Sequence, residues 1–567
     1  MERRKYAKKA TAKKKKNTIN FIPSEQDLVF IPLGGTDEVG MNMALIGHDQ
    51  EWILIDCGIT FHDTLGMEIL TADPTFIVQQ KNRLKGLFIT HAHEDHIGAV
   101  EYLWPLLQCP IYAAPFAAEV LRQKLQEKSW SENLPLVEIP IKQQTQVGKF
   151  SVEPFFITHS IPEAMGYIIR TPLGTLVHTG DWTLDTTPVL GPKVDEKLLK
   201  HVGDEGVLAY FSDSTNIFMK KDASSEKRVR ECMKELVQKN DTKRITVACF
   251  SSNIARIETA LLAAESTGRK VAVVGRSLKR MIAAAKETGV LTNLPKFIDE
   301  KTAASSPPGK VLLICTGSQG EERSALVKIA SGEHPLLKMG TQDLVLFSSR
   351  VIPGNDKSIG KLHSLLARAN VDIITSSEED IHASGHPSRD TVQKMYELLR
   401  PKIVIPVHGE ARHLIAQAHF AREHGIKHVI PPLNGAVVQL AGDKPGLVGR
   451  VPSGKWAVDG KRMVAFEGHV VKQRTHLSEE GSVFATILFG KDAISEVILR
   501  LIGLMEPGNL YENLKKQIID ALHEWSHFSE DLQEHKENSD AAAQRIVQTV
   551  YSKIGKRPVV EVHWVKI

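Results

Sequence analysis

The chain has 567 residues, of which 42% are hydrophobic and 24% charged, and its net charge at pH 7 is +4. A chain of this length exceeds one hydrophobic core, so we expect two or three domains with the composition of a soluble globular protein. No run of about 18 apolar residues occurs, so the sequence predicts no transmembrane helix and no membrane partner. The five cysteines are scattered and form no CxxC pair. They therefore favour reduced thiols and a cytoplasmic location over a disulfide framework.

The positive charge is concentrated at the amino terminus. Residues 1–18 carry nine Lys and Arg side chains against the single acidic Glu2, a net of +8 that leaves about −4 for the remaining body. Such a run predicts a disordered tail, which either adds salt-sensitive affinity for phosphates or acts only as a solubilising leader. No apolar segment follows the charges, so we expect no secretory signal.

Short apolar runs begin at about residue 27. Those at residues 28–31, 43–46 and 52–55 predict β-strands. Asp56 follows the third run directly. Its carboxylate either ends the strand as a turn residue or points toward a site formed by a later loop.

The densest cluster of potential ligands is residues 90–98, Thr-His-Ala-His-Glu-Asp-His-Ile-Gly, which follow an apolar strand-like run. The potential ligands in this segment are the imidazoles of His91, His93 and His96 and the carboxylate of Asp95. Imidazole nitrogen and carboxylate oxygen are ligands that zinc and manganese take in hydrolytic sites. Residues 91 and 93 can face one ion while 95 and 96 face a second, so the segment predicts a metal-binding loop.

Further potential ligands stand at the ends of later strands. A strand-like run at residues 152–157 leads to His159, and another at residues 176–178 leads to Asp181. One such residue alone is more often structural. The repeated placement favours a site on one rim of a sheet, where ligands from successive strand ends converge.

The pattern changes after residue 211. Helical periodicity alternates with apolar strand-like runs at residues 245–248, 271–274 and 311–314. The alternation predicts βαβ units and a separate layered domain around a parallel sheet. Within it, Gly317 and Ser318 lie between a strand and a helix, where backbone amides could hold a phosphate, although such turns are common.

The strand-end pattern then returns. Residues 381–387, Ile-His-Ala-Ser-Gly-His-Pro, precede a helix-like stretch, and a strand at residues 402–407 leads to His408, 227 residues after Asp181. The simplest interpretation is that the βαβ domain is inserted into the first domain, whose chain resumes here. Residues 446–465, with several Gly and Pro, predict a linker to a small α+β domain.

These motifs resemble known families. The ligand pattern at 91–96, His159 and Asp181, with Asp56 upstream, resembles the metallo-β-lactamase superfamily over residues 27–210 and 370–445. The inserted domain and the motifs around Asp213, His386 and His408 look like the β-CASP nucleases, and the whole layout is similar to the bacterial ribonuclease J family. The implied fold is α/β: a metallo-β-lactamase αββα sandwich with an inserted β-CASP α/β domain and a small C-terminal α+β domain.

The expected domain boundaries follow from the same resemblance. They are a basic disordered tail (1–18), the metallo-β-lactamase domain in two parts (19–211 and 370–445), the β-CASP domain (212–369), a linker (446–465) and the C-terminal domain (466–567).

The resemblance also implies two divalent metal ions per chain: zinc, with manganese or magnesium as compatible alternatives. One ion would be held by His91, His93, His159 and Asp181, and the other by Asp95, His96, Asp181 and His408. Asp56 would hold the metal loop in place, Asp213 would donate protons and His386 would accept them. Substrate phosphate would contact His382, Ala383, Ser384, Gly385 and His386, with Ser252, Asn253, Gly317 and Ser318 as further candidates.

The implied activity is hydrolysis of RNA phosphodiester bonds to give a 5′-phosphate and a 3′-hydroxyl. The resemblance implies a 5′→3′ exonuclease that favours 5′-monophosphate ends and has some endonuclease activity, in rRNA maturation and mRNA decay. The implied partners are single-stranded RNA, a homodimer or homotetramer formed through the C-terminal domain, and RNA-decay or ribosome-associated proteins.

Three alternatives share some of these features. A small-molecule hydrolase would use the same metal ligands, but it would need no large inserted domain. A DNA nuclease of the β-CASP group is closer, although DNA-repair members of the group tend to lack the histidine found here at 408. A scaffold of an RNA-decay assembly would not need the full set of metal ligands.

Overall fold

A computed structural model describes residues 21–221, 224–490, 494–524 and 535–567. The basic tail expected at residues 1–18 lies outside these ranges. The described chain forms two compact units: one comprises the residues up to Thr60 and Thr71–Gly454, and the other Phe61–Leu70 and Lys455–Ile567. No helix in the described ranges combines the length and the apolarity that crossing a bilayer would require.

The amino-terminal segment builds most of a two-sheet domain. The strands of this segment are β1 (Leu28–Gly34), β2 (Met43–His48), β3 (Glu51–Ile55), β4 (Ile59–Thr64), β5 (Met67–Ala72), β6 (Leu84–Phe88), β7 (Ile111–Ala113), β8 (Leu136–Glu138), β9 (Thr145–Val147), β10 (Phe150–Phe156), β11 (Met165–Thr171), β12 (Gly174–His178) and β13 (Val207–Asp213). All of them except β4 and β5 belong to the two sheets of this domain. Its helices are α1 (Thr75–Val78), α2 (Glu94–Ile97), α3 (Val100–Leu107), α4 (Pro115–Leu125) and α5 (Glu196–Glu205), with 3-10 turns at Lys81–Arg83 and Ser131–Asn133.

The next segment forms the inserted domain. Its helices are α6 (Glu226–Lys239), α7 (Ile254–Ser266), α8 (Arg276–Glu287), α9 (Glu300–Ser305), α10 (Ala325–Ala330) and α11 (Asp356–Arg368), with a 3-10 turn at Pro308–Lys310. Its strands are β14 (Arg244–Ala248), β15 (Lys270–Val274), β16 (Val311–Cys315), β17 (Asp343–Phe347) and β18 (Asp372–Thr375). They form a parallel sheet in the order β15-β16-β14-β17-β18. Strand β18 pairs with β17, so this sheet extends to Thr375, five residues past the boundary expected at residue 370.

The chain then returns to the first domain. The returning elements are α12 (Arg389–Leu399), β19 (Ile403–Val407), α13 (Ala411–Glu423), β20 (His428–Val429), β21 (Ala436–Gln439) and β22 (Gly446–Arg450). Strand β19 pairs in parallel with β13, which is the last strand before the insertion. The completed domain has an eight-stranded sheet, β22-β21-β1-β2-β3-β6-β7-β8, and a seven-stranded sheet, β20-β19-β13-β12-β11-β10-β9.

The core of this domain lies between the two sheets. Phe30 of β1 and Phe211 of β13 are fully buried, and their rings are 4.4 Å apart. Side chains alternate along a strand, so the opposite face of each sheet needs its own cover. Trp52 of β3 packs edge-on against Phe76 of α1, while α5, α12 and α13 bury apolar residues against the seven-stranded sheet. The αββα arrangement follows from these layers.

The C-terminal unit contains β23 (Lys455–Asp459), β24 (Arg462–Ala465), α14 (His469–Glu480), β25 (Ser482–Phe489), β26 (Ile494–Ile502), α15 (Asn509–His523), α16 (His535–Ile554) and β27 (Val559–Lys566). Strands β25, β26 and β27 form a three-stranded sheet, and one face of it packs against α15 and α16. Strands β22, β23 and β24 occupy most of residues 446–465, where the sequence predicts a linker. Glycine in this segment allows a tight turn between short strands. Gly460, for example, adopts a φ of +61° in the turn between β23 and β24.

Candidate metal centre and active site

Strand ends from both sheets meet at one rim. Strand β11 is antiparallel to β10 and to β12, while β12, β13 and β19 are mutually parallel. Four of these strands therefore end at the same edge, where the chain places His159, Asp181, Asp213 and His408. In the facing sheet, β3 and β6 are parallel. They end just before Asp56 and the loop that carries His91, His93, Asp95 and His96.

The first ligand cluster consists of His91, His93 and His159, whose ligating atoms lie within 4.8 Å of one another. Nε2 of His91 is 3.0 Å from Nδ1 of His93, and Nε2 of His159 is 3.1 Å from that same nitrogen. Two nitrogens bound to one tetrahedral zinc at about 2.0–2.1 Å stand about 3.3 Å apart. The spacing of the imidazoles therefore fits a divalent metal ion.

The second ligand cluster consists of Asp95, His96, Asp181 and His408. Oδ2 of Asp181 is 3.2 Å from Nε2 of His96 and 3.3 Å from Nε2 of His408. The same oxygen is 4.0 Å from Nε2 of His91 and 4.0 Å from Nε2 of His159 in the first cluster. One carboxylate oxygen thus faces both clusters, which is the arrangement that a ligand bridging two metal ions needs.

Asp56 lies behind the second cluster. Its carboxylate accepts hydrogen bonds from the backbone N–H of Thr90 at 2.8 Å and from Nδ1 of His96 at 2.7 Å. The bond to Nδ1 leaves Nε2 of His96 directed at Asp181. Asp56 adopts a φ of +60°, an uncommon conformation for a residue other than glycine. It links the metal loop to the end of β3.

Asn42 is a residue of this site that the sequence did not indicate. Its Oδ1 is 3.0 Å from Nδ1 of His408, and its Nδ2 is 3.1 Å from Nε2 of His96. Its backbone N–H donates to the carbonyl oxygen of Asp95 at 2.9 Å. Asn42 thus contacts three residues of the second cluster, and no spacing pattern connects it to residues more than 50 positions away.

Burial controls the protonation of the first cluster. It lowers the pKa of His91 and of His93 well below the usual value, aided by the neighbouring imidazoles, and lowers the pKa of His159 to about 4. These imidazoles are neutral at physiological pH, which is the form that binds metal. Burial would raise the pKa of Asp181, but His408 and His96 outweigh it and hold that pKa well below the usual value.

Asp213 and His386 form a hydrogen-bonded pair beside the clusters. Nδ1 of His386 lies 2.8 Å from Oδ2 of Asp213, and the His386 ring is 5.2 Å from the ring of His159. Burial disfavours the charged form of each residue, yet their mutual attraction prevails. The pKa of His386 rises to about 9, and the pKa of Asp213 falls below its usual value. At neutral pH the proton therefore lies on His386, and Asp213 is an ionised carboxylate.

The loop of residues 382–386 is held against the first cluster. The carbonyl oxygen of Gly385 accepts a hydrogen bond from Nδ1 of His159 at 2.7 Å, and a Cβ atom at this position would lie 2.6 Å from that nitrogen. Ser384 Oγ accepts a hydrogen bond from Asn216 at 2.7 Å. Ala383 is buried, and burial lowers the pKa of His382 to about 3. Only glycine fits where the loop approaches His159.

A buried arginine supports this loop from the inserted domain. Arg256 has no exposed surface, and its guanidinium donates to the carbonyl oxygens of Ile381 at 2.7 Å and Ser348 at 2.9 Å. It also contacts both carboxylate oxygens of Glu226, at 2.9 and 3.1 Å. Nothing in the sequence around Arg256 indicates this role, because the local pattern is that of an ordinary polar residue in a helix.

The four further candidates for substrate contact differ in whether they reach the histidine clusters. Ser252 Oγ lies 3.0 Å from Nε2 of His93, so the inserted domain touches a residue of the first cluster directly. Asn253 is buried, and its Oδ1 accepts a hydrogen bond from the backbone N–H of Arg256 as the cap of α7. Ser318 is also buried, and its hydroxyl has no hydrogen-bond partner among the described residues. Gly317 adopts a φ of +113° beside Ser324. Of these four, only Ser252 makes a contact that reaches the histidine clusters.

Four family models match successive parts of the chain. "Metallo-beta-lactamase superfamily" matches residues 36–215, and "Ribonuclease J, beta-CASP domain" matches residues 242–366. "Zn-dependent metallo-hydrolase RNA specificity domain" matches residues 374–431, and "Ribonuclease J C-terminal domain" matches residues 469–567. The metallo-β-lactamase match implies divalent metal binding, for which the two clusters supply candidate ligands.

Curated relatives match almost the whole chain. Ribonuclease J of Sinorhizobium meliloti is 38% identical over 98% of this chain and 100% of its own length. Ribonuclease J 1 of Streptococcus pyogenes is 36% identical over 89% of this chain and 91% of its own length. A crystal structure of a protein of unknown function from Enterococcus faecalis V583 covers 73% of this chain and 100% of its own, with a TM-score of 0.52 and 15% identity, and shows a similar fold. By the identity and coverage of these relatives, the chain belongs to the ribonuclease J family.

Proposed function

We propose that this chain, a metal-dependent ribonuclease by family, degrades RNA as a 5′→3′ exonuclease that favours 5′-monophosphate ends and also makes some endonucleolytic cuts. The observation that carries the proposal is the single carboxylate oxygen of Asp181 that faces two clusters of metal-ligating groups. The biological roles that we propose for this activity are rRNA maturation and mRNA decay in the cytoplasm.

Two divalent ions, zinc in our proposal, would be held by the two clusters, with Asp181 contributing to both. When bound, such ions supply Lewis acidity that brings the pKa of water from about 15.7 toward about 7 and neutralises charge that develops on phosphorus. Asp56 and Asn42 would hold His96 and His408 in the orientation that ligation requires, which is the usual role of groups behind metal ligands.

Asp213 and His386 would move protons during hydrolysis. Their hydrogen bond of 2.8 Å links a buried carboxylate to an imidazole that borders both clusters. A proton can pass between them while a leaving oxygen is protonated or a water is deprotonated. Asp213 belongs to none of the groups of potential ligands, whereas His386 offers a ligating atom within 4.8 Å of those of His159 and Asp181. Asp213 is therefore available for acid–base chemistry, and His386 would carry the proton next to the metal ligands.

Residues 382–386 would hold the phosphate next to the cleaved bond. The contact between His159 and Gly385 sets this loop against the first cluster, and Arg256 fixes its beginning at Ile381. Ser252 would add a contact to the phosphate from the inserted domain, because its hydroxyl already contacts His93. Asn253, Gly317 and Ser318 remain candidates of lower rank, since their described contacts do not extend to the clusters.

We further propose that the C-terminal unit forms a homodimer or homotetramer. The face of the three-stranded sheet opposite α15 and α16 exposes Phe484, Ile498, Ile502 and Val565 by 42–53%. On the same face, Phe484 pairs across the strands with the charged residues Arg500 and Glu561. A mixture of exposed apolar and charged side chains is compatible with a protein interface. Light scattering after size exclusion would show a smaller particle for Phe484→Asp combined with Ile498→Asp; an unchanged mass would contradict the proposal. Association with RNA-decay or ribosome-associated proteins is a further proposal.

The activity is tested with a 5′-labelled RNA that carries a monophosphate, a triphosphate or a hydroxyl at its 5′ end, alongside a DNA of the same sequence. We expect release of labelled mononucleotide, fastest from the monophosphate, and its loss after chelation and in His91→Ala. Elemental analysis should find two divalent ions per chain. Turnover of DNA alone, or full RNA turnover without divalent ions, would overturn the proposal; binding without any turnover would favour a scaffold.

A further inference from the structure

An exposed aromatic ring stands on a rigid turn beside the candidate active site. Phe218 is 54% exposed, although it follows the buried strand β13 by only a few residues. The turn is fixed by backbone hydrogen bonds from Ile217 to Ser214 at 3.1 Å and from Met219 to Asn216 at 2.8 Å. The ring is therefore presented to solvent by a backbone that is itself held in place.

This turn is connected directly to the catalytic rim. Asn216 donates hydrogen bonds from Nδ2 to Ser384 Oγ at 2.7 Å and to the carbonyl oxygen of His386 at 3.0 Å. Thr215 Oγ1 donates to the carbonyl oxygen of His408 at 3.1 Å. The Phe218 ring lies 5.2 Å from the ring of His413, in the helix that follows His408. Phe218 thus follows two residues that contact Ser384, His386 and His408, and its own ring contacts the helix after His408.

A cation from the inserted domain reaches the same turn. Nη1 of Arg350 is 3.3 Å from Oδ1 of Asn216 and 2.8 Å from Sδ of Met219. Both partners are neutral, so they leave the guanidinium charge uncompensated. Val351 and Ile352, which follow Arg350, are 42% and 45% exposed. The two domains therefore bring an aromatic ring, a cation and apolar surface together where they meet beside the site.

We propose that Phe218 and Arg350 form a base-stacking subsite for one unpaired nucleotide of the RNA, adjacent to the cleaved bond. The inference rests on the proposed ribonuclease function. An aromatic ring stacks on any base, and each such contact contributes about 1–3 kcal/mol to single-strand binding. The guanidinium supplies a partner for the phosphate or for the face of the base. Bases paired within a duplex are already stacked, so this subsite selects single-stranded RNA.

Phe218→Ala and Phe218→Trp test the subsite on a 5′-monophosphate RNA without secondary structure. Loss of one stacking contact raises the KM of Phe218→Ala about 5- to 150-fold with kcat little changed, while Phe218→Trp keeps the KM of the unaltered protein. Leu336→Ala is a matched control. Leu336 is 46% exposed. It comes before strand β17, whereas Arg350 comes after that strand, so the two residues lie toward opposite ends of β17. An unchanged KM in Phe218→Ala overturns the inference.

A series of RNAs with one abasic nucleotide at successive positions gives a second measurement. In the unaltered protein, KM rises sharply when the base at one position is removed, and Phe218→Ala loses that position-specific penalty. Equal penalties at every position in both proteins overturn the inference. If the unaltered protein cleaves RNA and these results fail, the subsite is wrong while the ribonuclease proposal stands. If the unaltered protein cleaves no RNA, the proposed function itself fails.

Discussion

Oδ1 of Asn42 lies 3.0 Å from Nδ1 of His408, although the two residues are 366 positions apart in the chain. The contact joins the turn before β2 to the end of β19, and so links the two separated parts of the metallo-β-lactamase domain. It also determines which ring nitrogen of His408 faces the ligand cluster: Nδ1 is engaged by Asn42, and Nε2 is directed at Asp181.

Replacing Asn42 should weaken metal binding without unfolding the protein. Groups that orient metal ligands typically change metal affinity about 10- to 100-fold when they are removed. We expect a loss of this size in Asn42→Ala, measured by titrating metal-free protein with zinc or manganese in competition with a chelator. Asn133→Ala, at an exposed asparagine, is the control. Equal affinities in the two variants would show that Asn42 does not orient His408.

Asp213 should be needed for turnover but not for metal binding. It lies outside both ligand clusters, and its main partner is His386 at 2.8 Å. We expect Asp213→Ala and the isosteric Asp213→Asn to keep the full metal content and to lose about 100-fold or more in kcat, the usual contribution of an acid–base residue. Asp443→Asn, at an exposed aspartate, should change neither quantity. Loss of metal from the Asp213 variants would show that the residue has a ligand role instead.

Arg256 should contribute strongly to the stability of the inserted domain. Its guanidinium is fully buried against Glu226 and two carbonyl oxygens, so its removal leaves the carboxylate of Glu226 without its ion-pair partner. Breaking a buried ion pair by deleting one partner costs about 3–5 kcal/mol. We expect Arg256→Met to lower the free energy of unfolding by about this amount in urea denaturation. Arg368→Met, at an exposed arginine, is the comparison, and equal unfolding midpoints would contradict the role.

The basic tail predicts a salt effect on RNA binding. Residues 1–18 carry nine Lys and Arg side chains, and each phosphate neutralised on a single strand adds about −0.7 to the slope of log affinity against log salt. Deleting the tail should therefore make the slope shallower, as measured by fluorescence anisotropy with labelled RNA at several salt concentrations. An unchanged slope would leave the tail as a solubilising leader.

Local patterns in the sequence were sufficient for much of the fold. The strands of the inserted domain and helix α12 lie close to where apolar runs and helical periodicity place them, because short-range hydrophobic repeats report directly on burial. Helix α14 was missed, since only Val471 is buried along it and no clear apolar stripe results. Residues 446–465, where a linker was expected, hold three short strands, because Gly and Pro mark tight turns between strands as readily as they mark a linker.

The sequence by itself determined the chemistry of the site: a His-x-His-x-Asp-His loop and further His and Asp residues at strand ends specify metal-ligating groups wherever they are found. Only the tertiary structure decided which other residues contact these candidate ligands and hold them in place. Asn42 and Arg256 are ordinary residues in ordinary stretches, and each acquires its contact at the site from the way that two sheets and an inserted domain pack together. Contacts between distant residues depend on that packing, and periodicity along the chain carries no record of them.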